Sequence, residues 1–227
     1  MNWEKSQNIG DISRGRESLK LVYGTDLLAG SLSLNEILTR DELAYSERLR
    51  GEGQKSTWLS CRATLRLILG SCLGRNPRDI EFSKGRFGKL HLPETNLFFN
   101  VSHSKNAFLL GFSFLGRIGV DIELLNGDED VPELAEYAFS DDELQYCQNG
   151  DHPERFAEIW TCKEAFLKAV GVGLVDRLPS ISVTDNLPNS VSRYGLYQNS
   201  FLCPNGETGS VVYRKCKSIE SKWLTNL

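Results

Sequence analysis

The sequence predicts an α+β fold of two similar halves meeting near residue 117. Three observations carry this reading: an amphipathic helical run followed by several short strand-like runs, a helix pair with further strand-like segments after it, and no short-period repeat of the kind a solenoid needs. The 227 residues, 40% hydrophobic and 10% aromatic, suffice for a sizeable core in one unit or in two compact halves.

The first 20 residues are polar and are expected to be loosely held. Between residues 55 and 73, Trp58, Cys61, Leu65, Ile68, Leu69 and Cys72 recur at helical spacing, and Gly74 with Pro77 ends the run. Arg62 lies on the edge of this stripe, where a charge is costly unless an anion or a carboxylate meets it. Short strand-like runs follow at 80–83, 97–101, 107–115 and 117–124, with a basic glycine turn from Lys84 to Lys89 after the first; they predict an antiparallel sheet. Ser140 and Glu143 form a capping box that opens one helix, closed at Asn149-Gly150. A second helix runs from Pro153 to about Val170, stopped by Gly171 and Gly173.

Nothing in the first 20 residues resembles a signal-peptide core, and no apolar run approaches the roughly 20 residues of a membrane helix, so a soluble, cytoplasmic protein is expected. The six cysteines show neither C-x-x-C pairs nor zinc spacing, which favours reduced, inert thiols. A net charge of −4 argues against a general nucleic-acid binder, yet the charge is unevenly distributed. Residues 40–89 carry 11 basic and 6 acidic side chains, whereas residues 121–164 carry 2 basic and 14 acidic. A polyanion suits the first stretch and a divalent cation the second; two solvated faces are the plainer alternative.

In the run 117–124, alternation places Ile118, Val120 and Ile122 on one strand face and Gly119, Asp121 and Glu123 on the other. The two carboxylates then lie roughly 6.5 Å apart along the strand, within reach of one hard cation, with open space expected beside Gly119. On the helix 153–170, Lys163 falls in the centre of an apolar stripe and must snorkel, pair with a carboxylate or meet an anion. Along the stripe's edge Trp160, Glu164 and Lys168 follow at successive turns. His103, between Ser102 and Ser104 where a strand ends, is either a phosphate donor or a capping histidine. Together these residues equip a protein for metal-assisted chemistry on a phosphate ester, without selecting the substrate.

The runs FNVSHS at 99–104, GVDIE at 119–123 and FAEIWTCKEAFLKAVGVGL at 156–174 resemble the 4′-phosphopantetheinyl transferases of the Sfp type. The similarity extends from about residue 21 to 183 and includes CRATLR at 61–66, FGKL at 87–90 and FSDDE at 139–143. It implies a pseudo-dimer whose halves each pack a small antiparallel sheet with helices around a shared active-site cleft. A polar segment, 1–20, precedes an N-terminal half, 21–117, for the adenosine phosphates of coenzyme A, and a C-terminal half, 118–227, for Mg²⁺ and catalysis. The implied reaction transfers the phosphopantetheine arm of coenzyme A to a serine hydroxyl of an acyl or peptidyl carrier protein. It releases adenosine 3′,5′-bisphosphate and serves fatty-acid, polyketide or nonribosomal peptide synthesis.

By this resemblance Asp121, Glu123 and Glu164 ligate Mg²⁺, and Lys168 neutralises charge as the anhydride breaks. Glu164 or a metal-bound water takes the serine proton, and Lys163 holds the pyrophosphate or orients Glu164. Arg62, Lys89, Ser102 and His103 bind the adenosine phosphates. The chain departs from the family in reading Gly88-Lys89-Leu90 for Gly-Lys-Pro and in lacking a clear early basic pair, for which Arg48 and Arg50 are the candidates. A monomer is expected, with no nucleic-acid or membrane partner. Two other readings stay open: a non-catalytic module that binds coenzyme A or a carrier protein, and a Mg²⁺-dependent nucleotide phosphohydrolase.

Overall fold

Two sheets lie face to face between two long helices. The structure, a computed structural model, describes residues 1–6, 15–25, 33–124, 131–148, 152–173, 181–183 and 195–225. In chain order the elements are β1 (Glu4–Ser6), β2 (Ser18–Gly24), α1 (Leu34–Ile37), α2 (Arg40–Ser46), α3 (Glu52–Leu73), a 3₁₀ turn (Pro77–Asp79), β3 (Ser83–Lys84), β4 (Leu90–His91), β5 (Phe98–Ser104), β6 (Ala107–Ser113) and β7 (Ile118–Glu123). After these come α4 (Val131–Ala138), α5 (Asp141–Gln148), α6 (His152–Val170), β8 (Tyr197–Leu202), β9 (Thr208–Tyr213) and β10 (Ser218–Leu224).

The larger sheet has the order β1-β10-β2-β6-β5 and the smaller the order β7-β9-β8. Strand alternation divides the core into layers. Val22, Phe108, Leu110 and Phe112 meet Cys61, Leu65, Ile68 and Leu69 of α3, while Leu19, Leu21 and Leu109 point the other way onto Ile118, Val120 and Ile122 of β7. Behind the smaller sheet, α6 closes a third layer with Phe156, Ile159, Phe166 and Val212. Gly111 permits the close approach of the sheets, because a Cβ there would sit 2.7 Å from both the Ile118 and the Val120 side chains.

The mixed α+β class, the α3 stripe and the strand run from β5 to β7 follow the sequence expectation. Gly74, at φ 62°, ends α3 as anticipated. The Ser140 capping box is present: Ser140 N–H donates to Glu143 Oε2 at 2.7 Å and Glu143 N–H to Ser140 Oγ at 3.4 Å. The expected stop at Asn149-Gly150 lies outside the described residues.

Three expectations need correction. The run 80–83 forms no strand of its own; only Ser83 and Lys84 pair, with His91 and Leu90, across the glycine turn. The first residues are not simply loose. Trp3 packs against Tyr23 and Phe201, each with ring centroids 5.7 Å away, and β1 pairs with β10. The sheets also do not divide at residue 117, since β10 lies between β1 and β2, parallel to both. The helices α1, α2 and α4 were not expected from the sequence, although Thr39 and Glu42 stand at capping-box spacing at the start of α2. All six cysteines are free, and burial pushes the Cys61 thiol up to about 12 and Cys147 to about 11, which keeps them protonated. Among the described residues no helix is long and apolar enough to cross a membrane.

Candidate active site

The outer edge of β7 runs beside β5, and three alternate polar residues of β5 serve it. The Val120 N–H donates to Asn100 Oδ1 at 2.8 Å, Ser102 Oγ donates to Asp121 Oδ1 at 2.8 Å, and Ser104 Oγ donates to Glu123 Oε2 at 3.0 Å while accepting from the Leu124 N–H at 3.2 Å. Side chains thus replace a backbone ladder along this seam and fix the carboxylates of β7. Asn100 and Ser104 were not singled out from the sequence. Their signal was the period-two polar set Asn100, Ser102, Ser104 that follows Phe98 and Phe99 in the strand.

Asp121 and Gly119 face α6, as alternation requires, but the space beside Gly119 is not open. A Cβ at Gly119 would lie 1.9 Å from the carbonyl oxygen of Ala165 and 2.4 Å from the amide nitrogen of Ala169. The glycine lets the helix backbone rest on the strand, which brings the α6 side chains onto Asp121. Lys168 Nζ donates to Asp121 Oδ1 at 2.5 Å and to Ser102 Oγ at 3.0 Å. Glu164, half-buried one turn earlier, has its pKa raised by burial and by the Asp121 charge, against the opposing pull of Lys168.

Asp121 is 2% exposed, and its second oxygen, Oδ2, is buried without a hydrogen-bond partner among the described residues. An unpartnered buried carboxylate oxygen is costly, and a hard cation is the ligand that such an oxygen suits. Asp121 and Glu164, coupled through their charges, fit the cation expected here. The expected third ligand is less directly placed: Glu123 is engaged by Ser104, and among the described residues no three His, Cys, Asp or Glu side chains are gathered as a metal-holding group.

Glu164 and Lys168 line a cleft of about 1450 Å³, whose opposite wall carries Arg48, Arg62, Arg78 and Lys84. The capping box of α2 helps to build that wall. Glu42 bonds back to Thr39 and also takes Arg66 Nε at 2.7 Å, with Arg62 Nε at 3.6 Å. Arg66 is buried, donating through one guanidinium nitrogen to the carbonyls of Pro77, Arg78 and Ile80. Arg62 stays at the cleft, over the rings of Trp58 and Phe82, each 5.3 Å from its guanidinium carbon. Arg48 lines the cleft and Arg50 does not.

Lys89 also lines the cleft, but its ammonium donates to the Ile118 carbonyl at 2.8 Å and to the Lys168 carbonyl. It ties the glycine turn to β7 and satisfies a carbonyl in the last turn of α6. Burial, with Arg117 and Lys168 nearby, pushes its pKa down to about 8. One other expectation is corrected by position. Lys163 is 1% exposed and turned away from the cleft, held by Glu143 Oε2 at 2.6 Å and the Ala138 carbonyl at 2.7 Å. His103 lines an adjoining smaller pocket and lies within electrostatic reach of Lys168, Asp121 and Arg62.

The α+β fold thus sets a carboxylate–lysine site at the head of a cleft lined by seven Lys or Arg and five Asp or Glu side chains. The 4′-phosphopantetheinyl transferase superfamily model matches residues 117–210, the segment that contains Asp121, Glu123, Glu164 and Lys168. A putative 4′-phosphopantetheinyl transferase of Synechocystis sp. is 34% identical over 157 residues, covering 66% of this chain and 64% of that protein. The 4′-phosphopantetheinyl transferase HetI of Nostoc sp. is 35% identical over 144 residues, covering 60% and 61%. The 4′-phosphopantetheinyl transferase AcpT of Escherichia coli O157:H7 is 32% identical over 142 residues, covering 61% and 69%. The chain belongs to the 4′-phosphopantetheinyl transferase superfamily. Its match spans somewhat less than two thirds of the Synechocystis and Nostoc proteins.

Proposed function

We propose that this protein is an Sfp-type, Mg²⁺-dependent phosphopantetheinyl transferase that moves the 4′-phosphopantetheine group of coenzyme A to a serine of an acyl or peptidyl carrier protein. The observation that carries this reading is the buried, unpartnered Oδ2 of Asp121 beside Lys168 and Glu164, next to a cleft walled by arginines. The serine oxygen attacks the phosphorus that bears the pantetheine arm, the anhydride bond to the other phosphate breaks, and adenosine 3′,5′-bisphosphate leaves. Magnesium, when bound, screens the pyrophosphate so that the incoming hydroxyl is not repelled.

Asp121 and Glu164 would hold that ion, with Glu123 as the third carboxylate of the set. Arg48 and Arg62 supply forked donors for the phosphates of the nucleotide. Lys168, oriented by Ser102, neutralises the charge that grows on the leaving phosphate. Glu164 takes the serine proton; its desolvated carboxylate is a stronger base than an exposed one. The pseudo-dimer reading is supported by the two sheets and two long helices stacked about the β5–β7 seam.

The test is to incubate the protein with coenzyme A, Mg²⁺ and an apo carrier protein and to weigh the carrier by mass spectrometry. A phosphopantetheine adduct is expected. Coenzyme A bound without an adduct, across fatty-acid and peptide-synthesis carriers, points to a binding module. Hydrolysis without an acceptor points to a phosphohydrolase.

A further inference from the structure

Glu42 lines the cleft beside Arg62 and Arg66. A carboxylate on the wall of an anion-binding cleft repels the ligand, so its presence there calls for a reason. Its side chain is only 15% exposed, and its two oxygens are used differently. Oε2 caps α2 by accepting from the Thr39 N–H at 3.0 Å and also accepts from Arg66 Nε at 2.7 Å, while Oε1 lies 3.6 Å from Arg62 Nε.

The two arginines sit one turn apart on α3, where like charges repel, and both guanidinium groups lie over the Phe82 ring. They differ in what they do. Arg66 belongs to the fold, since its terminal nitrogen donates to three backbone carbonyls. Arg62 has the carboxylate of Glu42 at its Nε and the rings of Trp58 and Phe82 at its faces, and its terminal nitrogens form no hydrogen bond among the described residues. Burial lowers the Arg62 pKa; Glu42 opposes that shift and Arg66 adds to it.

Resting on the transferase reading above, we propose that Glu42 is a positioning residue for Arg62. Its carboxylate engages the guanidinium through Nε, which leaves the two terminal nitrogens, a forked pair suited to a phosphate, for the ligand. The same carboxylate offsets the charge of Arg66, whose repulsion would otherwise favour an Arg62 turned out into solvent. The Trp58 and Phe82 rings restrict the motion that remains. A phosphate entering the cleft thus meets a side chain that is already ordered, and binding is not weakened by the entropy of ordering it.

The experiment is a double-mutant cycle on the full chain, read by calorimetric titration with coenzyme A in Mg²⁺ and comparing the parent, Glu42→Gln, Arg62→Ala and the double variant. Glutamine keeps an acceptor for the Thr39 N–H and for Arg66 but removes the charge that engages Arg62. Loss of that charge also lessens the repulsion of the ligand, and the cycle cancels this direct effect because both backgrounds share it. Glu42→Gln is expected to be about five-fold less favourable to coenzyme A in the parent than in Arg62→Ala, the scale of ordering one long side chain. Equal effects in the two backgrounds would mean that Glu42 serves the fold alone. A tightening confined to the chain that retains Arg62 would mean that Glu42 only neutralises it. Either result overturns the inference and leaves the transferase reading standing, whereas a parent chain that binds no coenzyme A overturns both. Should Glu42→Gln fail to fold, Glu42→Asp, which keeps the charge and withdraws it by one methylene, takes its place in the cycle; the same difference is expected, and its absence overturns the inference.

Discussion

Gly119 and Ala165 leave no room for a side chain between them: a Cβ on the glycine would fall 1.9 Å from the alanine carbonyl oxygen. Backbone lies against backbone at this point, so no rotamer change relieves an added methyl group. Gly119→Ala must therefore lift α6 from β7 and carry Lys168 away from Asp121. The expected cost is about 3 kcal/mol in urea unfolding, with carrier modification reduced at least about 100-fold in the protein that remains folded.

Removing either carboxylate of the coupled pair is expected to leave the fold in place. Asp121→Ala and Glu164→Ala are each expected to abolish transfer to an apo carrier protein while the circular dichroism spectrum is retained. Activity that survives both substitutions would remove the metal assignment.

The buried pair Lys163–Glu143 joins α6 to α5, and Glu143 Oε1 also accepts from the Val183 N–H at 2.8 Å. Lys163→Met strands a buried carboxylate and is expected to cost about 3–5 kcal/mol by chemical denaturation. Adding Glu143→Gln, which removes the charge and keeps an acceptor, should recover part of that loss. The affinity of the folded fraction for coenzyme A should stay within about two-fold, because Lys163 faces away from the cleft. A large drop in affinity would return it to the phosphate grip.

Glu220 of β10 pairs with Lys20 of β2, and that hydrogen bond holds its carboxyl pKa below the ordinary 4.5. A depressed folded-state pKa adds stability above the unfolded value, and this is lost as pH falls through the folded one. Glu220→Gln should therefore lower the stability slightly at pH 7, by well under about 1 kcal/mol for so exposed a pair, and the difference should vanish as pH falls below the depressed folded-state pKa.

What could be read from the sequence was local. The α3 stripe, the faces of β7 and the Ser140 capping box depend on spacings of a few residues, and all three are found. What could not be read was long-range. Lys163 finds Glu143 20 positions away, Glu42 reaches forward to Arg66 across 24, and the hydroxyl of Ser18 meets that of Ser218 across 200. Gly119 shows the limit most clearly: strand alternation gives its direction, but only the packed helix reveals that the space is filled. Asp121 and Lys168 stood in recognisable positions, yet their direct contact, with Ser102 bonded to both, depends on the β5–β7 seam, which pairs by side chains and leaves no ladder pattern in the sequence.

The placement of β10 between β1 and β2 also has a meaning in time. During synthesis β2 emerges early, and the neighbour that will shield one of its edges follows some 200 residues later. Until then a wholly buried strand of the native sheet has an open flank, the kind of surface that chaperones hold and that aggregating chains share. A nascent chain stalled after β9 would contain Asp121, Glu164 and Lys168 in full, yet the layer beneath them would still lack a strand.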